Sequence, residues 1–244
     1  MTVLASVVYT AIFGNYDELN RPAVQDTDCD FICFTDQRLP ARVGAWNIVH
    51  VKARAGLHPR MQAKRFKLLS HEVFHDGRLA FRYRLRRGAW SLRHRYTGSI
   101  WVDGHLAINS HSFVRDQLAA AVDAGWAMFR HPDRDCIFAE AAVSATMEKY
   151  HGRPVFEQVE AYRREGVVEH GGLFACGVIA RQEPLNDSLR RVNESWWQEN
   201  VKWTYQDQLS LPYVLKSTGA AVGVIPGDLW NNQWFELREH RTHK

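Results

Sequence analysis

The sequence predicts an α/β fold in which strands alternate with helices around a mainly parallel central sheet. Three observations predict it. Short runs rich in Val, Ile and Phe recur along the chain, separated by segments whose apolar residues have helical spacing. There is no internal repeat, low-complexity tract or linker, so residues 1–244 are expected to form one domain. Hydrophobic residues at 45% and aromatics at 12% are ample for a packed core, which excludes a disordered chain.

The elements follow in order. "VLASVVYTAIF" (3–13) is the first strand, "CDFICFTD" (29–36) the second and "WNIVHV" (46–51) the third. "PRMQAKRFKLLSHEVF" (59–74) has helical spacing, with Met61, Phe66, Leu69 and Phe74 on one broad face. "SIWVD" is a further strand. "SFVRDQLAAAVDAG" reads as a helix from Ser112 as N-cap to Gly125 as stop, and "WAMFR" (126–130) as a strand. Two helices follow in "DCIFAEAAVSATMEKY" and "RPVFEQVEAYRREG", the second with Pro154 at its first position and Gly166 past its end. "GLFACGVIAR" (172–181) is strand-like, and "PLNDSLRRVNESWWQEN" is amphipathic. "TYQDQLSLPYVLKSTG" starts a helix at Thr204, with Asp207 three residues on and Gly219 as stop; Pro212 predicts a kink or break inside it.

Charge is unevenly distributed. The net charge is +4, yet seven arginines and no acid lie between Arg78 and Arg95, so the rest of the chain is mildly acidic. An insert at about 77–97 with this composition attracts phosphates, anionic polymers or an anionic membrane surface, or is a solvated loop. No reader motif accompanies it, which argues against nucleic acid. The four cysteines form no CxxC pair, no apolar run approaches the ~20 residues that span a bilayer, and the first residues lack a basic leader. A cytoplasmic setting is expected, with peripheral contact to the inner membrane through the arginine segment.

Ligands of open α/β sheets sit beyond the carboxyl ends of the strands. The first strand ends near Thr10, Phe13, Gly14, Tyr16 and Asp17, the second at Asp36, and "SIWVDGH" at Asp103 and His105. Residues i and i+2 of an extended segment point the same way, so Asp103 and His105 share one volume, with Gly104 letting a ligand approach the backbone. Carboxylate plus imidazole suits a divalent ion such as Mn²⁺ (or Mg²⁺). Asp-Gly is equally a strong turn pair, so a plain turn remains open. His240 and His243, at a terminus where histidines are usually solvated, are candidates for the missing ligands. Arg60, Lys64 and Lys67 recur at i, i+4 and i+7 and offer cations to a diphosphate, or form an exposed basic helix face. Asp207 and Gln208 stand near a helix start. There an acid caps the helix, or serves as a general base or a hold on a sugar hydroxyl. His131 and Glu140 are site candidates or an ordinary strand-end turn and helix. No GxSxG, P-loop, HExxH or GxGxxG fingerprint is present, and Cys176 reads as a packed core thiol.

In their order, "VVYTAIFGNYDEL", "CDFICFTD", "KRFKLLSHEVF", "SIWVDGHLAI", "RHPDRDCIFAEA", "GLFACGVIAR" and "WTYQDQLSLPYVL" resemble the glycosyltransferase-like domain family. Its members include plant proteins of cell-wall and mucilage polysaccharides and bacterial proteins of surface-polysaccharide gene sets. The resemblance covers about residues 5–243. The family is similar in turn to GT-A glycosyltransferases of the glycogenin-like group. This implies a Rossmann-like, GT-A-like sheet, a nucleotide-sugar donor, a glycan acceptor (acidic, if the arginine segment meets it) and a DxD-type metal motif. The motif falls on Asp103-Gly104-His105, with His in place of the second Asp, and the late His of such enzymes falls on His240 or His243. Ala175 and Cys176 replace an Asn-Ala pair on the acceptor-side strand that carries Gly177. By the same resemblance Thr10, Ala11, Phe13 and Tyr16 hold the nucleoside, Asp36 lies near the base or ribose, and Asp207 and Gln208 face the sugar. The expected activity is metal-dependent sugar transfer from a nucleotide-diphosphate donor to a surface glycan. A nucleotidyltransferase or hydrolase on the same sheet, and a non-catalytic module for an anionic glycan, are the rival readings.

Overall fold

In the computed structural model, which describes residues 6–74 and 96–240, the apolar runs become strands buried on both faces. Strand β1 (Ser6–Ile12) shows why. Val7, Tyr9 and Ala11 enter one core, while Val8 and Ile12 enter the other, as the two-residue period of a strand requires. β2 (Cys29–Thr35) divides the same way, Ile32 and Phe34 against Phe31 and Cys33. Strands covered on both sides read as continuous apolar runs, and these do.

β3 (Arg42–Val43), β4 (Trp46–His50), β5 (Gly98–Val102), β7 (Trp126–Arg130), β8 (Phe174–Gln182) and β9 (Gly223–Ile225) complete an eight-stranded sheet of order β3-β4-β2-β1-β5-β8-β7-β9. β2 and β5 flank β1 in parallel, β4 continues parallel on β2, and β7 pairs parallel with β9. β3 and β8 run antiparallel to their neighbours. The mainly parallel sheet expected of the sequence is thus present, with β8 reversed in its middle. β6 (Leu106–Ile108) and β10 (Phe235–Leu237) form a separate antiparallel ribbon.

Seven helices among the described residues cover the sheet. The expected helix over 59–74 is two, α1 (Pro59–Leu68) and α2 (Ser70–Phe74), because Leu69 leaves helical geometry at φ −105°, ψ 50°. α3 (Phe113–Ala120), α4 (Ile137–Thr146) and α5 (Val155–Arg164) fall within the expected segments, but α3 ends at Ala120, well short of the expected stop at Gly125, and gives way to a turn over 121–124. Pro154 stands at the N-cap of α5, one residue before its expected place. α6 (Asp187–Lys202) starts at Asn186, whose side chain accepts from the Leu189 amide.

α7 (Asp207–Thr218) starts later than expected and carries its proline inside. It begins at Asp207 and not at Thr204, whose hydroxyl accepts from the Gln206 amide at 3.2 Å and donates to Gln158 at 2.8 Å. It also runs through Pro212 without a break. An internal proline costs ~3 kcal/mol, but Leu209, Leu211 and Val214 are fully buried around it. At roughly 1.5–3 kcal/mol each, their burial outweighs that cost. No described helix is long and apolar enough to cross a membrane. The arginine segment, apart from Tyr96 and Thr97, lies outside the described residues, as does His243.

Candidate active site

β1 and β5 are parallel neighbours, so their carboxyl ends open on one place. There a cleft of about 340 Å³ forms. Its floor is Ala11 of β1, Phe13 just after that strand, and Asp103, Gly104 and His105, which follow β5. Its walls come from α1, the start of α7, the loop after β7, and the C-terminal segment.

Three local devices shape the floor. β8 carries a bulge, seen as a register shift where Phe129 pairs with Ala175 but Met128 with Ile179. The bulge sets the Gly177 carbonyl 2.9 Å from the Asp103 amide, which donates to it. Bulges of this kind re-aim chain beside functional sites. Next, the β6–β10 ribbon pairs Leu106 with Leu237, and the Arg238 amide donates to the His105 carbonyl at 2.9 Å. That pairing carries His240 back onto the cleft. Finally, Gly104 admits Asp17, whose Oδ2 would stand 2.9 Å from any Cβ at that position.

The result is a cluster of Asp17, His105 and His240, with one ligand atom from each lying within 4.8 Å of the others. His240 Nδ1 is 2.6 Å from Asp17 Oδ1, and the two imidazole centroids are 4.4 Å apart. Among the described residues His105 Nδ1 is buried without a hydrogen-bond partner. Burial holds the His105 pKa below its ordinary value, with Asp103 and Asp17 opposing and His240 adding to the effect. A neutral imidazole is the ligating form. One carboxylate and two imidazoles, one of them orphaned, are a donor set that fits a divalent cation.

Asp103 is not in that cluster. Its Oδ1 accepts from Trp101 Nε1 at 2.7 Å and from Lys67 Nζ at 3.2 Å, while Oδ2 lies on the Gly177 side of the cleft. Lys67 also reaches Asp207 Oδ2 at 2.7 Å, and Lys64 reaches the same oxygen at 2.6 Å. Two lysines and two carboxylates therefore form one closed charge group. Burial alone would raise Asp207; Lys64 and Lys67 outweigh it and hold the carboxyl at about 2. Burial depresses Lys67 too, yet Asp103 and Asp207 carry it above the usual lysine range. Lys64, with less carboxylate around it, stays below that range, burial being the chief cause.

On the opposite wall Glu140 is buried and fully engaged. It takes Arg134 Nε at 2.6 Å, Gln206 Nε2 at 2.8 Å and Ser144 Oγ at 3.2 Å. His131 Nδ1 accepts from the amides of Asp133 and Arg134, and burial lowers its pKa. Gln208 accepts from Gln206 at 3.1 Å. Cys176 is a buried thiol whose pKa burial pushes far up, so it is no nucleophile.

Of the residues singled out in the sequence, Ala11, Phe13, Tyr16, Asp17, Arg60, Lys64, Lys67, Asp103, His105, His131, Glu140, Gly177, Asp207, Gln208 and His240 line this cleft. Thr10, Gly14 and Asp36 do not. Thr10 is buried in β1 with its hydroxyl facing away from the Ala11 side. Asp36 accepts from the Gly14 amide at 3.0 Å and so fixes the loop after β1. Sequence reasoning missed Arg134, Lys149, Tyr150, Tyr205, Gln206 and Trp230 in the lining. Their one legible signal was Trp230, a large aromatic in the polar stretch "GDLWNNQ", which lies 53% exposed at the cleft.

The family model for the TOD1/MUCI70 glycosyltransferase-like domain matches residues 91–236. The chain belongs to that family. The matched stretch includes Asp103, His105, Glu140 and Asp207 and stops just short of His240. A relative from Arabidopsis thaliana, named probable hexosyltransferase MUCI70, is 22% identical over an alignment 235 residues long that covers 85% of this chain. The alignment covers 36% of the relative, so this TOD1/MUCI70 chain spans about a third of that protein's length.

Proposed function

We propose that this TOD1/MUCI70 domain is a metal-dependent glycosyltransferase that moves a sugar from a nucleoside-diphosphate donor to a glycan acceptor. One observation carries the reading. A carboxylate–imidazole cluster and a pair of lysines converge in one cleft at the carboxyl ends of β1 and β5. That is where the ligand of an open α/β sheet is expected, and the donor's charge is on its two phosphates.

Asp17, His105 and His240 would hold a divalent cation, with Asp103 Oδ2 opening on the same cleft. The mixture of nitrogen and oxygen donors favours Mn²⁺ over Mg²⁺. When bound, such an ion supplies positive charge against the leaving nucleotide diphosphate. Phe13 and Tyr16 offer the nucleoside a partly aromatic wall, and Lys64 and Lys67 add fixed cations beside the phosphates. With its pKa held at about 2, Asp207 is a poor proton acceptor at neutral pH. Its role in this reading is to hold both lysines and to accept from a sugar hydroxyl. Gln208 and the Glu140–Arg134–Gln206 network line the side on which the acceptor would enter.

A thermal-shift screen of nucleotide sugars with and without Mn²⁺ tests this. Stabilisation by a nucleotide sugar that requires metal and is lost in His105→Ala is the expected result. Donor affinity indifferent to both EDTA and that substitution would sink the reading. Release of nucleoside monophosphate would place the chain among nucleotidyltransferases or hydrolases instead.

A further inference from the structure

The cleft holds more cation than its own carboxylates balance. Lys64 and Lys67 are taken by Asp207 and Asp103 and Arg134 by Glu140, while Asp17 is hydrogen-bonded to His240. Two lining cations, Arg60 and Lys149, make no ion pair among the described residues. Both residues touch Tyr205, Arg60 through its guanidinium and Lys149 through its backbone carbonyl. The Arg60 guanidinium lies 4.0 Å from the Tyr16 ring centre and 5.6 Å from that of Tyr205, and donates to the Tyr16 hydroxyl. The backbone of Lys149 accepts from the Tyr205 hydroxyl, and its ammonium stands 5.1 Å from the Tyr150 ring centre. The Arg153 guanidinium stands 5.0 Å from the Tyr205 ring centre.

Ring faces attract these cations by ~0.5–1 kcal/mol each at open sites, which is less than a carboxylate would give them. The cations also oppose one another. Burial lowers the Lys149 pKa, and Arg60 and Lys64 add to the lowering. Two like charges that line one cleft without a carboxylate partner among the described residues are a site prepared for an anion.

We propose that Arg60 and Lys149, with Arg153 at the rim, form an oxyanion subsite for a carboxylate or phosphate group of the substrate, separate from the Lys64–Lys67 centre. A planar guanidinium grips two oxygens of such a group while a lysine adds a point charge. The carboxylate would belong to an acidic sugar and the phosphate to the donor. That the occupant is part of a sugar-transfer substrate rests on the function proposed above; that the subsite takes an oxyanion does not.

The test uses the full chain, with neither nucleotide nor metal. Binding of glucuronate, glucose and pyrophosphate is measured by ligand-observed NMR at matched ionic strength. Glucuronate or pyrophosphate should bind where glucose does not. Lys149→Met and Arg60→Met should each weaken that binding about tenfold, the usual worth of one charged hydrogen bond, and Lys149→Arg should retain it. Loss confined to glucuronate identifies a sugar carboxylate, and loss confined to pyrophosphate the donor phosphates. If the native chain binds neither anion, or if both survive the two Met substitutions in folded protein, the subsite is overturned. Because Mn²⁺ and nucleotide sugars are absent, that outcome is independent of the donor-binding screen.

Discussion

Lys67 Nζ lies 2.7 Å from Asp207 Oδ2, joining the last turn of α1 to the first residue of α7 with both side chains almost wholly buried. The pair is held from behind. Arg181, itself buried in β8, donates to the Lys67 carbonyl at 2.9 Å and to the Tyr9 hydroxyl at 3.1 Å. Removing one partner of a buried pair costs about 3–5 kcal/mol, because the other is left as an uncompensated charge. Lys64 still faces Asp207 when Lys67 is lost, so Lys67→Met should destabilise by about 3 kcal/mol, the lower end of that range. Urea unfolding measures it, and a variant as stable as the native chain would show that the pair is not closed in solution.

The same carboxylate makes stability depend on acid. Asp207 titrates at about 2 in the folded protein against 3.8 as an ordinary aspartate. Between those values the unfolded chain holds more protons, so the contribution is complete above ~pH 4 and disappears as pH falls through the folded value. The difference corresponds to about 2 kcal/mol at neutral pH. Unfolding free energies measured from pH 6 down to pH 2 should therefore fall less steeply in Asp207→Asn than in the native chain. Parallel acid limbs would contradict the lysine-held state.

Why some of this was legible and some was not follows from range. β1, β2 and β5 are buried on both faces, and their apolar runs announce them locally. Asp103 and His105 were visible because a strand end and its next residues are one short word. The place of His240 depends on a ribbon of two three-residue strands, too short to show a period, so nothing local tied it to Asp17. The engagement of Lys64 and Lys67 with Asp207 was hidden for the same reason. Helical spacing put the lysines on one face but named no partner across the cleft. At Pro212 the local signal allowed a kink or a break; that the helix is not broken there depends on the burial of Leu209, Leu211 and Val214, which no local pattern shows.

Metal binding should require the two histidines separately. His105→Ala and His240→Ala each remove a direct nitrogen donor from the cluster with Asp17. Loss of even an outer-shell partner costs ~10–100-fold in metal affinity, so each substitution should cost at least that. Free Mn²⁺ followed by electron paramagnetic resonance gives the affinity without any substrate. Titrations unchanged by both substitutions would remove this cluster as the metal site.

Gly104 supplies a finer test, because its role is space and not backbone conformation. A Cβ there would stand 2.9 Å from Asp17 Oδ2 and 2.9 Å from Ile12 Cγ1. Ile12 is buried at the end of β1 and has little room to yield. Asp17 is the neighbour that can move, and moving it takes the carboxylate from His240. Gly104→Ala should therefore cost ~1–3 kcal/mol of stability by overpacking and weaken Mn²⁺ binding in the same protein. Calorimetric unfolding and the Mn²⁺ titration read the two effects independently. Lost stability with intact metal affinity would mean that Ile12 yields instead and that Asp17 is not held by the space over Gly104.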